Sequence, residues 1–137
     1  MEHNTENLLK LAKFLSNLPD DYKCFDMSTY FFDSELREDR PQIVDEHCIA
    51  CALGHGPTAG IGPDKVTMGA WMRYADTYFS KSPVMRRWIF SPVWARIDNT
   101  PKGAAQRILY AIKNGPIGGF DPMNNIVEVY KDVELRF

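Results

Sequence analysis

The stretch DNTPKGAAQRILYAIKNG, residues 98–115, decides the fold class of this chain. Thr100 is a residue type that caps helix N-termini, and Pro101 suits the first helical position. Gly115 stands where such a helix would end. Between these signals, apolar residues recur every three or four positions and predict one buried face, formed by Ala104, Ile108, Ala111 and Ile112. The stretch therefore predicts a capped amphipathic helix.

Further segments carry helical signals. Thr5 is placed to cap a helix that stops at Pro19, and Thr67 is placed to cap another. Pro83 and Pro92 bracket a short helical piece between them. The apolar stripes of the two capped helices are Leu8, Leu11, Ala12, Leu15 and Leu18, and then Met68, Trp71, Met72, Ala75 and Phe79. These stripes predict a core built mainly from helices.

The predicted β component is small. Residues 22–32 mix aromatic and polar side chains without helical period, which indicates an extended segment. The tail over residues 125–136 alternates partly at period two and predicts a strand. The acidic stretch 33–41 has the composition of an exposed loop, and Asp45 is placed to cap a short helix that ends at Gly54 in a left-handed conformation.

Length and composition predict one globular domain over residues 1–137, of predominantly helical α+β class. With 45% hydrophobic and 25% charged residues, the chain has ordinary globular composition. Its apolar runs are far shorter than the roughly 20 residues that span a bilayer, and its N-terminus lacks the basic region of a signal peptide. Three cysteines in such a chain favour reduced thiols. We therefore expect a soluble, cytoplasmic protein that does not bind membranes.

Charge is unevenly distributed along the chain. Residues 1–64 carry five Lys/Arg against twelve Asp/Glu, whereas residues 65–113 carry nine against two, within a net charge of −2. One interpretation is that the two parts neutralise each other in the fold. The other is an anion site built on arginines, whose planar guanidinium suits phosphate or carboxylate. The net acidity argues against a protein that binds duplex nucleic acid.

The stretch EHCIACALGHG, residues 46–56, concentrates reactive side chains. Cys48, Cys51 and His55 form a Cys-x2-Cys-x3-His pattern of zinc-ligand types. The sequence has no second ligand pair at short spacing, so a metal is not favoured and no cofactor is expected. Either cysteine together with His55 is the candidate pair for nucleophilic catalysis. The remaining interpretation is that these small residues pack in the core.

Glycines, arginines and tryptophans offer a different hypothesis, a site for a small anionic, nucleotide-like ligand. Backbone amides of the glycine-rich loop and two adjacent arginines would hold a phosphate, and a tryptophan would stack on a base. The alternative is that aromatic residues at helical spacing form the core. The candidate ligand-binding residues are Gly56, Gly60, Trp71, Arg86, Arg87 and Trp88.

Four ordered blocks together resemble a family of small phage, prophage and bacterial proteins of uncharacterised activity. They are FDMSTY (25–30), CALGHGPTAGI (51–61), WIFSPVW (88–94) and DNTPKGAAQRI (98–108), within about residues 24–114. Many family members carry a cysteine where this chain has Glu46, and Cys48 has no counterpart. The positions that match are Cys51, Gly54, His55, Trp88, Trp94, Asp98, Asn99, Thr100 and Arg107.

The resemblance implies a biological context more than a mechanism. Small phage-encoded proteins without an evident catalytic motif often bind a host component, including defence systems and their nucleotide signals. The leading hypothesis is a non-enzymatic accessory protein that binds a host protein or a small anionic ligand and counters host defence. We expect a homo-oligomer, because self-association would cover surplus apolar surface. A Cys/His-dependent enzyme and a zinc-stabilised interaction module are the alternatives.

Overall fold

A computed structural model describes residues 3–118 and 127–137 of the chain. In these ranges the helices are α1 (Thr5–Ser16), α2 (Trp71–Tyr78), α3 (Pro83–Phe90) and α4 (Pro101–Asn114). Two short strands, β1 (Phe31–Asp33) and β2 (Cys48–Ala50), pair antiparallel. Short 3₁₀ segments lie at Leu53–His55, Met68–Ala70 and Pro92–Arg96. The predicted class, predominantly helical α+β, is confirmed. No helix in the described part of the chain is both long and apolar enough to span a bilayer.

Helices α1 and α4 pack against each other at the centre of the fold. The predicted stripe of α1 is buried except for Leu18, which is partly buried beyond the helix end, and Ile112 is partly buried on α4. Alanines on the inner face of α4 let the two helices approach closely, and one hydrophobic cluster joins side chains from all four helices. The buried stripe residues of this pair are Leu8, Leu11, Ala12, Leu15, Ala104, Ile108 and Ala111.

The caps explain where three of the helices begin. The Thr100 hydroxyl accepts a hydrogen bond from the Gly103 amide at 3.0 Å, so the predicted cap of α4 is confirmed. Pro83 stands at the start of α3, as predicted. The cap of α1 is Asn4 and not Thr5, because the Asn4 side chain accepts from the backbone amide three residues later while Thr5 is already helical.

The helix predicted from Asp45 to Leu53 is wrong, because this segment forms β2 and a 3₁₀ turn. Its backbone finds partners outside itself. The Ala50 amide donates to the Cys24 carbonyl at 2.9 Å, and the Ala50 carbonyl accepts from the Asp26 amide at 3.0 Å. Gly54 has no left-handed φ; it needs to be glycine because a Cβ atom there would overlap the Tyr30 carbonyl oxygen.

The extended segment and the tail also differ from the prediction. Of residues 22–32, only the last two belong to β1. The strand predicted over 125–136 is absent from residues 127–136, and its first two residues lie outside the described ranges. Tyr130 explains this difference: its side chain is fully buried against Trp88 and Trp94, and the Val133 amide bonds back to the Tyr130 carbonyl in a turn.

Helix α2 begins later than the Thr67 cap predicts. Residues Met68–Ala70 form a 3₁₀ turn, and the Thr67 side chain makes no capping hydrogen bond. Met68 in this turn and Met72 in the first turn of α2 are both exposed, so the prediction that they belong to the buried stripe is wrong. The buried residues of this region are Trp71, Tyr74, Ala75 and Phe79.

Candidate interaction groove

His55 lies in a closed aromatic cage formed by Phe14, Tyr22 and Phe25, whose ring centroids are 5.7 to 6.2 Å from its own. Its Nδ1 lies 2.8 Å from the Cys51 carbonyl oxygen, and its Nε2 lies 2.8 Å from the Tyr22 hydroxyl. A carbonyl only accepts, so Nδ1 carries the proton and the Tyr22 hydroxyl donates to Nε2. Burial lowers the pKa of His55 to about 4. The ring is therefore neutral, with both nitrogens already engaged.

The two cysteines of the same stretch have separate environments. The Cys51 sulfur is buried and accepts from the Gly54 amide at 3.4 Å, and burial raises its pKa to about 11. The Cys48 thiol faces the Asp45 carboxylate at 3.4 Å, and burial raises its pKa as well. A reactive cysteine needs a lowered pKa and access to solvent. Neither thiol has these properties.

The predicted zinc ligands Cys48, Cys51 and His55 do not form a ligand set. Among the residues that the structure describes, no three His, Cys, Asp or Glu side chains gather where a metal ion could be held. The Cys51 sulfur and the His55 nitrogens are all turned to neighbouring backbone or hydroxyl groups. Cys48, Cys51 and His55 themselves are buried in the core, although Ile49 between them is exposed.

The two arginines predicted to bind an anion have different surroundings. Arg86 Nη1 lies 3.3 Å from an Asp76 carboxylate oxygen and 3.0 Å from the Ser80 carbonyl, while Arg87 is exposed. Lys102 pairs with Asp20 at 2.6 Å and so links the basic stretch to the acidic one. Part of the charge asymmetry is therefore neutralised within the chain.

The predicted glycines serve close packing and turn geometry. Gly56 is buried, and a Cβ atom there would overlap the Tyr74 hydroxyl. Gly60 is exposed in the left-handed region, with φ of 80°, and its carbonyl accepts from the Lys10 ammonium at 3.3 Å. These contacts involve neither Arg86 nor Arg87.

The predicted tryptophans are core residues. Trp88 is fully buried, and its indole N–H donates to the Arg107 carbonyl at 3.0 Å. Trp94 donates to the Trp88 carbonyl at 2.8 Å. Trp71 is also buried, and the ring of Tyr30 stacks on it with centroids 5.8 Å apart. Trp88 therefore offers no face on which a base could stack.

The block that ends in Arg107 is structural too. The fully buried guanidinium stacks over the Trp94 ring at 4.2 Å and lies 3.5 Å from an Asp98 carboxylate oxygen, which also accepts from the Tyr130 hydroxyl. Its Nε and Nη2 have no hydrogen-bond partner among the described residues. The Asn99 side-chain oxygen accepts a hydrogen bond from the Met27 backbone amide at 2.7 Å. These residues therefore connect segments that are distant in sequence and stabilise the fold.

An open groove is lined by residues of two segments, 29–42 and 65–71. Its volume is about 760 Å³. The chain forms it because β1 and the loop after it fold beside the 3₁₀ turn that precedes α2. We call this feature the β1 groove.

Four apolar side chains on the β1 groove are exposed to solvent. The exposed fractions are 39% for Tyr30, 50% for Phe32, 73% for Leu36 and 91% for Met68. Ile49 is exposed as well and stands opposite Phe32 in the strand register, so the two share one face of the hairpin. The solvent face of such a hairpin is usually polar. A contiguous exposed apolar surface is typical of an interaction site.

Leu36 has an unusual backbone conformation. Its φ is 52°, and no other described non-glycine residue has a positive φ. The Leu36 amide closes the turn by donating to the Asp33 carbonyl at 2.9 Å. A left-handed leucine costs about 1–2 kcal/mol relative to glycine, yet here the strained residue presents its side chain to water. Strained backbone residues cluster at functional sites, which makes Leu36 a candidate functional residue.

An ion-pair network holds the loop after β1 in place. Arg37 bridges Asp33 at 2.8 Å and Asp45 at 2.9 Å, and Arg40 contacts the other Asp45 oxygen at 2.8 Å. These guanidinium groups keep the pKa of Asp45 far below its usual range. The loop that carries Leu36 is therefore anchored at several points.

Two cations near the β1 groove contact no carboxylate within the described residues. The Lys65 ammonium bonds to the Glu38 carbonyl, and Arg73 is exposed beside it on an adjoining depression of about 290 Å³. Arg37 and Arg40, by contrast, are already paired. The β1 groove thus exposes apolar side chains beside the cations Lys65 and Arg73, and its lining also includes the exposed residue Glu38.

No protein-family model, curated protein or solved structure matches this chain. The sequence interpretation missed the β1 groove, since it assigned residues 33–41 to an acidic exposed loop and Met68 to a buried stripe. One signal was present in the sequence, because Leu36 is the single apolar residue within DSELREDRP.

Proposed function

We propose that this is a non-enzymatic binding protein and that it acts by docking another protein in the β1 groove. The observation that carries the proposal is the exposed apolar row Tyr30, Phe32, Leu36 and Met68 along an open groove. Protein interfaces are enriched in aromatic residues and methionine, and their energetic centres are small clusters of such side chains. The buried, neutral His55 and the protonated Cys51 lend no support to the enzymatic alternative.

The groove favours a protein over a small anionic ligand. Small-molecule sites usually enclose most of the ligand and aim several polar groups at it. Here the groove is open, and the positive charges of Arg37 and Arg40 are already paired with Asp33 and Asp45, so these arginines are not free to bind an anionic ligand. The resemblance to small phage and prophage proteins suggests that the partner is a host protein and that binding counters a host defence.

Affinity capture with matched variants tests this proposal. The tagged protein, a Phe32→Ser/Leu36→Ser variant and a Val84→Ser/Val129→Ser control would be incubated with the same bacterial lysate. Val84 and Val129 are exposed apolar residues that do not line the groove. We expect one protein to be retained by the wild type and the control and lost by the groove variant, with all three folded. Calorimetry with the purified partner would then confirm direct binding; equal retention by the groove variant would refute the proposal.

A further inference from the structure

We propose that the partner binds by adding a strand to the outer edge of β1, through an extended apolar segment with an acidic residue at one end. This inference rests on the proposed function, because it specifies how the β1 groove is filled. Strand addition uses main-chain hydrogen bonds for affinity and side-chain pockets for specificity. The structure offers both along one edge.

The strand register shows which backbone groups face outward. The Ser34 amide donates to the His47 carbonyl at 2.8 Å, and Phe32 stands opposite Ile49. Hydrogen-bonded and non-bonded pairs alternate in an antiparallel ladder, so the backbone groups of Phe31 and Asp33 point away from β2. The Asp33 carbonyl already accepts from the Leu36 amide, which leaves the N–H and C=O of Phe31 and the N–H of Asp33 for an added strand. The sheet has two strands in the described part of the chain, and no strand there covers this edge.

The β1 groove follows this open edge. Five consecutive residues, 29–33, line it. Side chains of successive strand residues point to opposite faces, so a cavity bordered by all five lies beside the strand backbone itself. Residues 65–68 and Trp71 form the rest of the lining. An incoming strand would therefore lie along β1 beside these residues.

The side chains around the edge specify the composition of that strand. Leu36 and Met68 offer exposed apolar contacts at the groove. Lys65 and Arg73 line one adjoining depression, whereas Glu38 is the acidic lining residue that forms no ion pair with a described residue, so this end of the groove has a small excess of positive charge that favours an acidic residue on the incoming segment.

The test is an NMR titration of the wild-type protein with a capped synthetic peptide, Glu-Val-Thr-Val-Thr-Val-Glu. We expect the peptide to shift the amide signals of Phe31 and Asp33 and to slow their hydrogen exchange. A peptide with lysine in place of both glutamates should bind more weakly, and the difference should shrink as salt is added.

Two N-methylated isomers separate strand pairing from side-chain docking. One carries methyl groups on the valine amides and the other on the threonine amides, so each blocks a different peptide edge. We expect about a tenfold loss of affinity for one isomer and little loss for the other.

Two results would overturn strand addition: unchanged exchange at Phe31 and Asp33 with millimolar peptide, or equal affinity for both isomers and the parent peptide. A concentration-dependent dimer that protects the same amides would assign the edge to a second copy, which also overturns the proposal. These results are separate from the capture experiment, because groove variants can lose a partner even if it binds without strand pairing.

Discussion

The His55 cage and the β1 groove show opposite relations between residue type and function. The cage lies in the stretch with the most reactive side chains, yet His55 is neutral and Cys51 is buried. The groove contains no catalytic motif, yet it exposes Phe32, Leu36 and Met68 to solvent. His55 and Cys51 are of reactive types but serve as buried core residues. Phe32, Leu36 and Met68 are of unreactive types, but their exposure makes them a candidate interface.

The His55 cage and the β1 groove also differ in how tightly their residues are packed. Residues of the cage are fixed by contacts on every side, so substitutions there should act mainly on the free energy of unfolding. Residues on the groove have space around them, so substitutions there should act mainly on binding. Four predictions test this division.

Gly54→Ala should have the largest effect, because the new Cβ atom would overlap the Tyr30 carbonyl oxygen on the backbone that leads into β1. We expect a loss of at least about 4 kcal/mol in the free energy of unfolding, measured by urea denaturation. Gly69→Ala is the matched control, because a Cβ atom there would point into open space and meet no atom of a packed neighbour. Equal stabilities of the two variants would contradict the packing described for Gly54.

Acidification should have the next largest effect, through His55. Its pKa is about 4 in the folded protein and 6.5 in the absence of burial, so below pH 6.5 the unfolded chain takes up a proton that the folded chain refuses. Stability should fall as pH drops from 6.5 to 4, by about 3 kcal/mol in total. Denaturation of the wild type at several pH values measures this loss.

His55→Gln supplies the control for the pH experiment. The variant should be less stable at neutral pH, because the cage loses its ring, but its stability should change little between pH 6.5 and 4. The carboxylates paired with arginine, such as Asp45, have lowered pKa values and affect stability only at lower pH. A variant that keeps the wild-type slope would show that another group is responsible.

Cys51→Ser should cost about 1–3 kcal/mol, because a hydroxyl would replace a buried thiol in an apolar site. Cys24→Ser is the comparison within the chain. Cys24 is partly exposed and donates to the Asp45 carbonyl, a bond that serine can also make. We expect the second variant to stay within about 0.5 kcal/mol of the wild type in the same denaturation experiment. Equal losses would mean that burial does not distinguish the two thiols.

Helices with local signals could be predicted from the sequence. Thr100 and Pro101 specify the start of α4 through bonds made within one turn. The strand β2 could not be predicted in this way, because its partners Cys24 and Phe31 lie some twenty residues away and exist only in the fold. The segment after Asp45 therefore forms a strand through non-local pairing, although Asp45 is a plausible helix cap.

The candidate site was missed for a related reason. The β1 groove joins two segments that are distant in sequence, and its exposed members fit other local patterns. Met68 continues the apolar stripe of α2, but the 3₁₀ turn before that helix leaves it in solvent. The spacing of Cys51 and His55 predicts a reactive or metal-binding site, but their burial depends on contacts that form only in the fold.

Leu36→Gly should have the smallest effect on stability and should sharpen the comparison most. Glycine adopts a φ of 52° without strain, so the variant should gain up to about 1 kcal/mol relative to the wild type, less what glycine loses through its more flexible unfolded chain. It should also bind the captured partner more weakly, because the exposed leucine is gone. Leu36→Asn tolerates the same backbone conformation and separates strain from side-chain contact. If both variants keep full affinity, the leucine side chain has no part in docking, and its strained position has another cause.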